Sequence, residues 1–156
     1  MKILATCLSS LLLVAWSADV EPTIVGDWVG HNRIVTRADG FTMTLSELES
    51  SYLADGTWHL NMRVTYETTR RRSDTYEFEL SSVGEWEIDG DRLEERMGNI
   101  SIQSDEPTRS SRRISRELQR MFENVRVTHS EILSLTDEEL SVRTVGGGMN
   151  IDYTRQ

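Results

Sequence analysis

Residues 57–67 read TWHLNMRVTYE, and their strict alternation constrains everything the chain can fold into. Trp58, Leu60, Met62, Val64 and Tyr66 fall on one side of an extended backbone, with His59, Asn61, Arg63, Thr65 and Glu67 on the other. A helix scatters such a pattern around its circumference, whereas a strand gathers it on one face. The same period recurs in Phe41, Met43 and Leu45, in Tyr76, Phe78, Leu80, Trp86 and Ile88, in Val125 and Val127 continuing to Leu133 and Leu135, and in Met149, Ile151 and Tyr153. The pattern predicts an all-β protein.

Turn residues divide these runs. Asp39-Gly40, Asp55-Gly56 and Asp89-Gly90 supply the positive φ angles of tight hairpins, so consecutive strands are expected to be antiparallel neighbours. Thr136–Glu139 and Gly146–Gly148 mark two further reversals. Eight strands result, at 24–37, 41–53, 57–68, 75–88, 91–103, 125–135, 139–145 and 149–155, the fourth bent at Gly84. In an up-and-down order the eighth strand runs antiparallel to the first, and pairing them closes a barrel without free edges. One segment departs from period 2. In residues 109–124, RSSRRISRELQRMFEN, Ile114, Leu118, Met121 and Phe122 recur at helical spacing, which predicts an amphipathic helix inserted at about 105–124 between the fifth and sixth strands.

The first 17 residues carry one cation, Lys2, then an apolar run, then Ala15 and Ser17 at small-residue positions. That is the pattern of a secretory signal peptide, which predicts a single mature domain over 18–156, exported to the periplasm or the medium. No later stretch is apolar for long enough to span a membrane as a helix. Cys7 is the only cysteine and lies in the leader, so no disulfide staples the mature fold. Seventeen basic residues against 26 acidic give a net charge of −9, which argues against a nucleic-acid role.

With eight strands in place, the early IVGDWVG resembles the Gly-x-Trp signature of the lipocalin and wider calycin barrels, here Gly26, Asp27 and Trp28. The likeness is greatest to small bacterial lipocalin-like domains, with their leader, Asp-Gly hairpins and closing Tyr-x-Arg, Tyr153 to Arg155. The resemblance implies that Trp28 plugs the closed end and that Arg155, inward by parity, packs across its ring, with Gly26 in the same structural set. It also implies a ligand cup. The lipocalin disulfide and a second family signature are missing, and the helix precedes the sixth strand instead of following the eighth. Fatty-acid-binding barrels hold a carboxylate with an inward Arg and Tyr from the last strand, but there the residue order differs.

Two readings of the interior follow. Met43, Trp58, Met62, Tyr66, Phe78, Trp86, Met97 and Met149 lie on faces expected to point inward, where they either line an adaptable apolar pocket or interdigitate as solid core. Loop alternation places 38–40, 69–74, 104–124 and 146–148 at the end opposite Trp28. Arg70, Arg71, Arg72, Arg109, Arg112, Arg113, Arg116 and Arg120 then form either a cationic mouth with the helix as a lid or a solvated face balanced by Glu117 and Glu123. Such a mouth would take a small hydrophobic or amphiphilic molecule. A filled barrel would instead use the basic helix to meet an anionic lipid surface or an acidic protein.

Catalysis is not expected. Of His31, His59 and His129, only His129 has inward parity, and no serine, base and orienting residue converge at sequence level. Neither metal nor organic cofactor has a ligand set in the sequence.

Overall fold

The computed structural model describes residues 23–69 and 73–156. Nine antiparallel strands and one helix follow in the order β1 (Gly26–Gly30), β2 (Ile34–Ala38), β3 (Phe41–Tyr52), β4 (Thr57–Thr68), β5 (Thr75–Asp89), β6 (Arg92–Ser104), α1 (Arg109–Asn124), β7 (Val127–Leu135), β8 (Glu139–Thr144) and β9 (Asn150–Arg155). β1 pairs with both β3 and β9, which closes the sheet into a barrel. The predicted first strand is one stave in two pieces. β1 and β2 both run along β3, but only β1 reaches β9. Between them the chain turns aside, with the His31 N–H donating to the Asp152 carbonyl and the Asp152 N–H to Asn32 Oδ1. The barrel therefore counts eight staves, and the helix lies between β6 and β7, not β5 and β6, because the split of the first stave raises each later strand number by one.

The inward rows of β4, β5 and the first part of β3 follow the sequence pattern, and a register shift between Ser46 and Glu49 then turns Leu48, Ser50 and Tyr52 inward in β3. Met43, Trp58, Leu60, Met62, Val64, Phe78 and Leu80 are buried, and Glu77, Glu79, Glu85 and Glu87 are exposed. Gly40, Gly56 and Gly90 all have positive φ, as the Asp-Gly hairpins require. At Gly84 the strand bends through a register shift against β6. A Cβ on Gly84 would stand 1.9 Å from the Arg96 carbonyl oxygen, and one on Gly98 2.3 Å from that of Val83. Neither obstacle is a movable side chain. Gly84→Ala should therefore destabilise the fold by about 1–3 kcal/mol, as overpacking does, and urea unfolding measures it.

Two parts of the alternation are overturned. In β7 the inward residues are Thr128, Ser130 and Ile132, while Val127 and Leu133 are exposed and Val125 precedes the strand exposed. A register shift between Ile132 and Ser134 then changes the parity and turns Leu135 back toward the core. His129 consequently faces outward, its Nδ1 3.2 Å from Glu94 Oε2 but out of line for a hydrogen bond. Met149 belongs to the β8–β9 turn, with its N–H on Thr144 Oγ1, and is 39% exposed.

The helix is part of the wall. β7 pairs with β6 only over Arg92–Arg96, which leaves the upper half of β6 without a strand neighbour on that side. α1 covers this edge: Ser115 Oγ donates to the Ile102 carbonyl and Gln119 Nε2 to the Ile100 carbonyl. Ile114, Leu118 and Phe122 complete the core there. Thr108 and Ser111 form a reciprocal capping box at its N-terminus.

Candidate functional site

The site is built at the Trp28 end. The Arg155 guanidinium lies over the Trp28 ring, its Cζ 4.3 Å from the ring centroid. Its nitrogens donate to three carbonyls, Nη2 to Thr23 at 2.6 Å, Nη1 to Val25 at 2.7 Å and Nε to Asp137 at 2.5 Å. Trp28 Nε1 donates to the Ile24 carbonyl at 2.7 Å. Gly26 leaves room for the guanidinium, since a Cβ there would meet Nη1 at 2.3 Å. Together these bonds fix residues 23–25 against the barrel.

Ile24, although 2% exposed, then borders an open depression of about 750 Å³ lined by Trp86, Ile88, Ile132 and Leu135 and by the acidic Glu87 and Asp91. Trp86 is held in place from two directions. Its Nε1 donates to the Leu53 carbonyl at 3.0 Å, and its ring meets Tyr52 edge to face at 5.6 Å.

Behind Trp86 lies a buried polar pair. Glu95, the cross-strand partner of Trp86, is 8% exposed and accepts a 2.6 Å hydrogen bond from the Tyr52 hydroxyl. Burial raises the Glu95 carboxyl to about 7, an effect that the Tyr52 bond partly offsets. The Tyr52 and Tyr153 phenols are both held above their ordinary value, by burial first and then by the nearby Glu95 charge. Ser50 adjoins both phenols and lowers them slightly, yet its Oγ has no aligned hydrogen bond. Among the described residues, Ser82 Oγ and Trp58 Nε1 are also buried without a partner.

Of the predicted pocket residues, Met43, Trp58, Met62 and Phe78 are buried in the core, and Tyr66, Trp86 and Met97 are packed against it. Only Trp86 reaches the depression. Tyr66 stacks on Phe41 at 4.9 Å near the opposite end. That opposite end has a smaller depression of about 370 Å³ between Thr75–Glu77 and Ser104–Thr108, with two glutamates and an aspartate among its walls. Arg112, Arg113, Arg116 and Arg120 are exposed on the outer side of α1 and line neither depression. The predicted mouth residues Arg70, Arg71 and Arg72, and the predicted leader, lie outside the described residues.

Glu95 was missed although its parity was available. It stands between Leu93 and Met97 on the inward face, while the abundance of outward glutamates in β5 suggested one solvated class.

The fold and this site define a closed, eight-stave antiparallel β-barrel with a depression of mixed apolar and polar lining at one end, backed by a buried carboxyl–phenol pair. No protein-family model and no curated protein matches the sequence. Among solved structures, the chain is similar to an uncharacterized protein from Bacteroides eggerthii, with a TM-score of 0.45 and 11% identity over 85% of this chain and 98% of that one. Among the described residues, no helix is long and apolar enough to cross a membrane.

Proposed function

We propose that the protein is an exported, lipocalin-like, non-catalytic barrel that binds a small, mainly apolar molecule at the Trp28 end. The observation that carries this reading is the depression formed by Ile24, Trp86, Ile88, Ile132 and Leu135. Its size falls within the range of small-molecule sites, and apolar walls with a few polar groups nearby are their usual composition. Trp86 offers a flat indole face for such a ligand, anchored through Leu53 and Tyr52. The ligand enters at the end opposite the arginine-rich helix, so the helix does not act as its lid.

The reading is tested with the neutral apolar probe N-phenyl-1-naphthylamine, followed by competition with a fatty-acid panel. Wild-type protein should bind the probe with enhanced, blue-shifted emission. Ile88→Glu, at a partly exposed wall position, should weaken binding by about tenfold or more, the loss expected when one aliphatic contact is replaced by a charge. No binding by the wild type, or equal binding by the variant, overturns the reading.

A further inference from the structure

The outer face of α1 carries a pattern that neither folding nor the Trp28-end site uses. Arg109, Arg112, Arg113, Arg116 and Arg120 follow one another at spacings of three, one, three and four residues. At helical pitch they fall within about 100° of arc and roughly 16 Å of length. This stripe lies opposite the buried residues Ser111, Ile114, Leu118 and Phe122. All five arginines are exposed. Among the described residues, their one carboxylate contact is Arg113 with Glu117 at 4.0 Å. Arg112 and Arg116 otherwise reach only the main-chain carbonyls of Pro107 and Arg112, at 3.4 and 3.3 Å.

The arrangement works against the helix that carries it. Arg109 with Arg113, Arg112 with Arg116, and Arg116 with Arg120 are like-charge pairs at i,i+4, a destabilising spacing. The first turn holds no acidic residue, so Arg109 and Arg112 face the positive end of the helix dipole uncompensated. In a chain of net charge −9, so concentrated a cationic stripe is the least expected feature of the surface. Local violations of this kind are where function is to be sought.

The structure also limits how the stripe is used. The apolar face of α1 is committed to the barrel, and Ser115 and Gln119 tie the helix to β6. The helix therefore meets a partner through its exposed polar face, without rolling over, and there five guanidinium groups outnumber the carboxylates of Glu117 and Glu123. Beyond its C-terminal end three valines stand exposed, Val125 at 56%, Val127 at 43% and Val145 at 65%, the last with its N–H on the His129 carbonyl. A stripe of cations with no large exposed apolar side chain among them suits a layer of mobile anionic headgroups. A protein partner would call for a large aromatic or aliphatic anchor at the centre of the contact.

We infer that the arginine stripe of α1 docks the barrel peripherally on an anionic lipid surface. Guanidinium groups engage phosphate oxygens in pairs and hold charge at any physiological pH, which suits them to this contact better than lysines.

The experiment is co-sedimentation of the protein with vesicles of equal parts phosphatidylglycerol and phosphatidylcholine, and with phosphatidylcholine alone. Binding is expected only to the anionic vesicles, and it should weaken steeply as salt is raised. R112Q/R113Q/R116Q should bind at least about tenfold more weakly, with its thermal midpoint unchanged or raised because like-charge pairs are lost. R112K/R113K/R116K, which keeps the charge, should retain most of the binding. Failure of the wild type to bind anionic vesicles overturns the inference, as does equal binding by the glutamine variant. Retention on immobilised poly-glutamate without vesicle binding overturns it too, in favour of an acidic protein partner.

Discussion

Replacing Arg155 with Ala should lower the stability of the barrel by about 3 kcal/mol, because one side chain makes three charge-assisted bonds to main-chain carbonyls and a cation–π contact. The carbonyls of Thr23 and Val25 belong to one segment and that of Asp137 to the β7–β8 turn, so the single guanidinium ties together two distant parts of the chain. Arg155→Lys should recover little of the loss, since an ammonium cannot fork to three acceptors while lying flat on the indole. Trp28→Ala should cost at least as much, about 3–5 kcal/mol, from the cavity left by a side chain 1% exposed. Urea unfolding of the two single variants and the double variant measures both effects. Their sum should exceed the double-variant loss, because each single change already breaks the shared contact. An Arg155→Ala midpoint equal to that of the wild type would show that residues 23–25 hold without the clasp.

The same variant should impair the proposed ligand site without touching it. Ile24 is placed by its carbonyl on Trp28 and by its neighbours' carbonyls on Arg155, so releasing the segment removes a wall of the depression. Probe binding by Arg155→Ala, measured well below its thermal midpoint, should be weaker than that of the wild type.

The barrel was legible in the sequence because period 2 and Asp-Gly turns are local signals. β4 and the first part of β5 read correctly because their alternation is uninterrupted, whereas in β3 a register shift between Ser46 and Glu49 moves the inward row from Phe41, Met43 and Leu45 to Leu48, Ser50 and Tyr52, which the sequence pattern did not show. β7 did not read correctly either, because its bulge after Ile132 inverts the parity that Leu133 and Leu135 seemed to set. The role of the helix was only half legible. Its amphipathic spacing was plain, but that it walls the unpaired edge of β6 depends on how short the β6–β7 pairing is, which no local pattern encodes.

Closure and parity put Arg155 inward near Trp28, and the contact itself was what the resemblance to the calycin barrels implied. The depression followed from neither, because Ile24, Trp86, Ile88, Ile132 and Leu135 come from five places in the chain, including strand ends and a bulge. The predicted pocket residues were inward-facing on most counts, yet most of them fill the barrel. Parity reports which face a side chain occupies, and packing decides whether space remains beside it.

Glu95 should give the barrel a pH-dependent stability opposite in sign to that of an ordinary salt-bridged carboxylate. Its carboxyl titrates near 7 in the folded barrel against an ordinary value of 4.5. Between those values the native state holds a proton that the unfolded chain releases, so stability falls as pH rises. The contribution is intact below about pH 4.5, declines through the interval and levels off above about pH 7, with a total loss of about 3 kcal/mol. Glu95→Gln still accepts the Tyr52 hydrogen bond but cannot ionise. The stability difference between wild type and Glu95→Gln, followed by urea unfolding across this range, should therefore grow in favour of the variant as pH rises, which cancels the titration of the other carboxylates. Tyr52→Phe should act differently, removing the bond that partly offsets burial and leaving the carboxyl without its donor. Parallel stability curves for wild type and Glu95→Gln would mean that water or rearrangement relieves the buried charge. A growing gap would assign the titrating proton to Glu95, behind Trp86, where the Tyr52 hydroxyl donates to the carboxyl and the Tyr52 ring meets Trp86 edge to face.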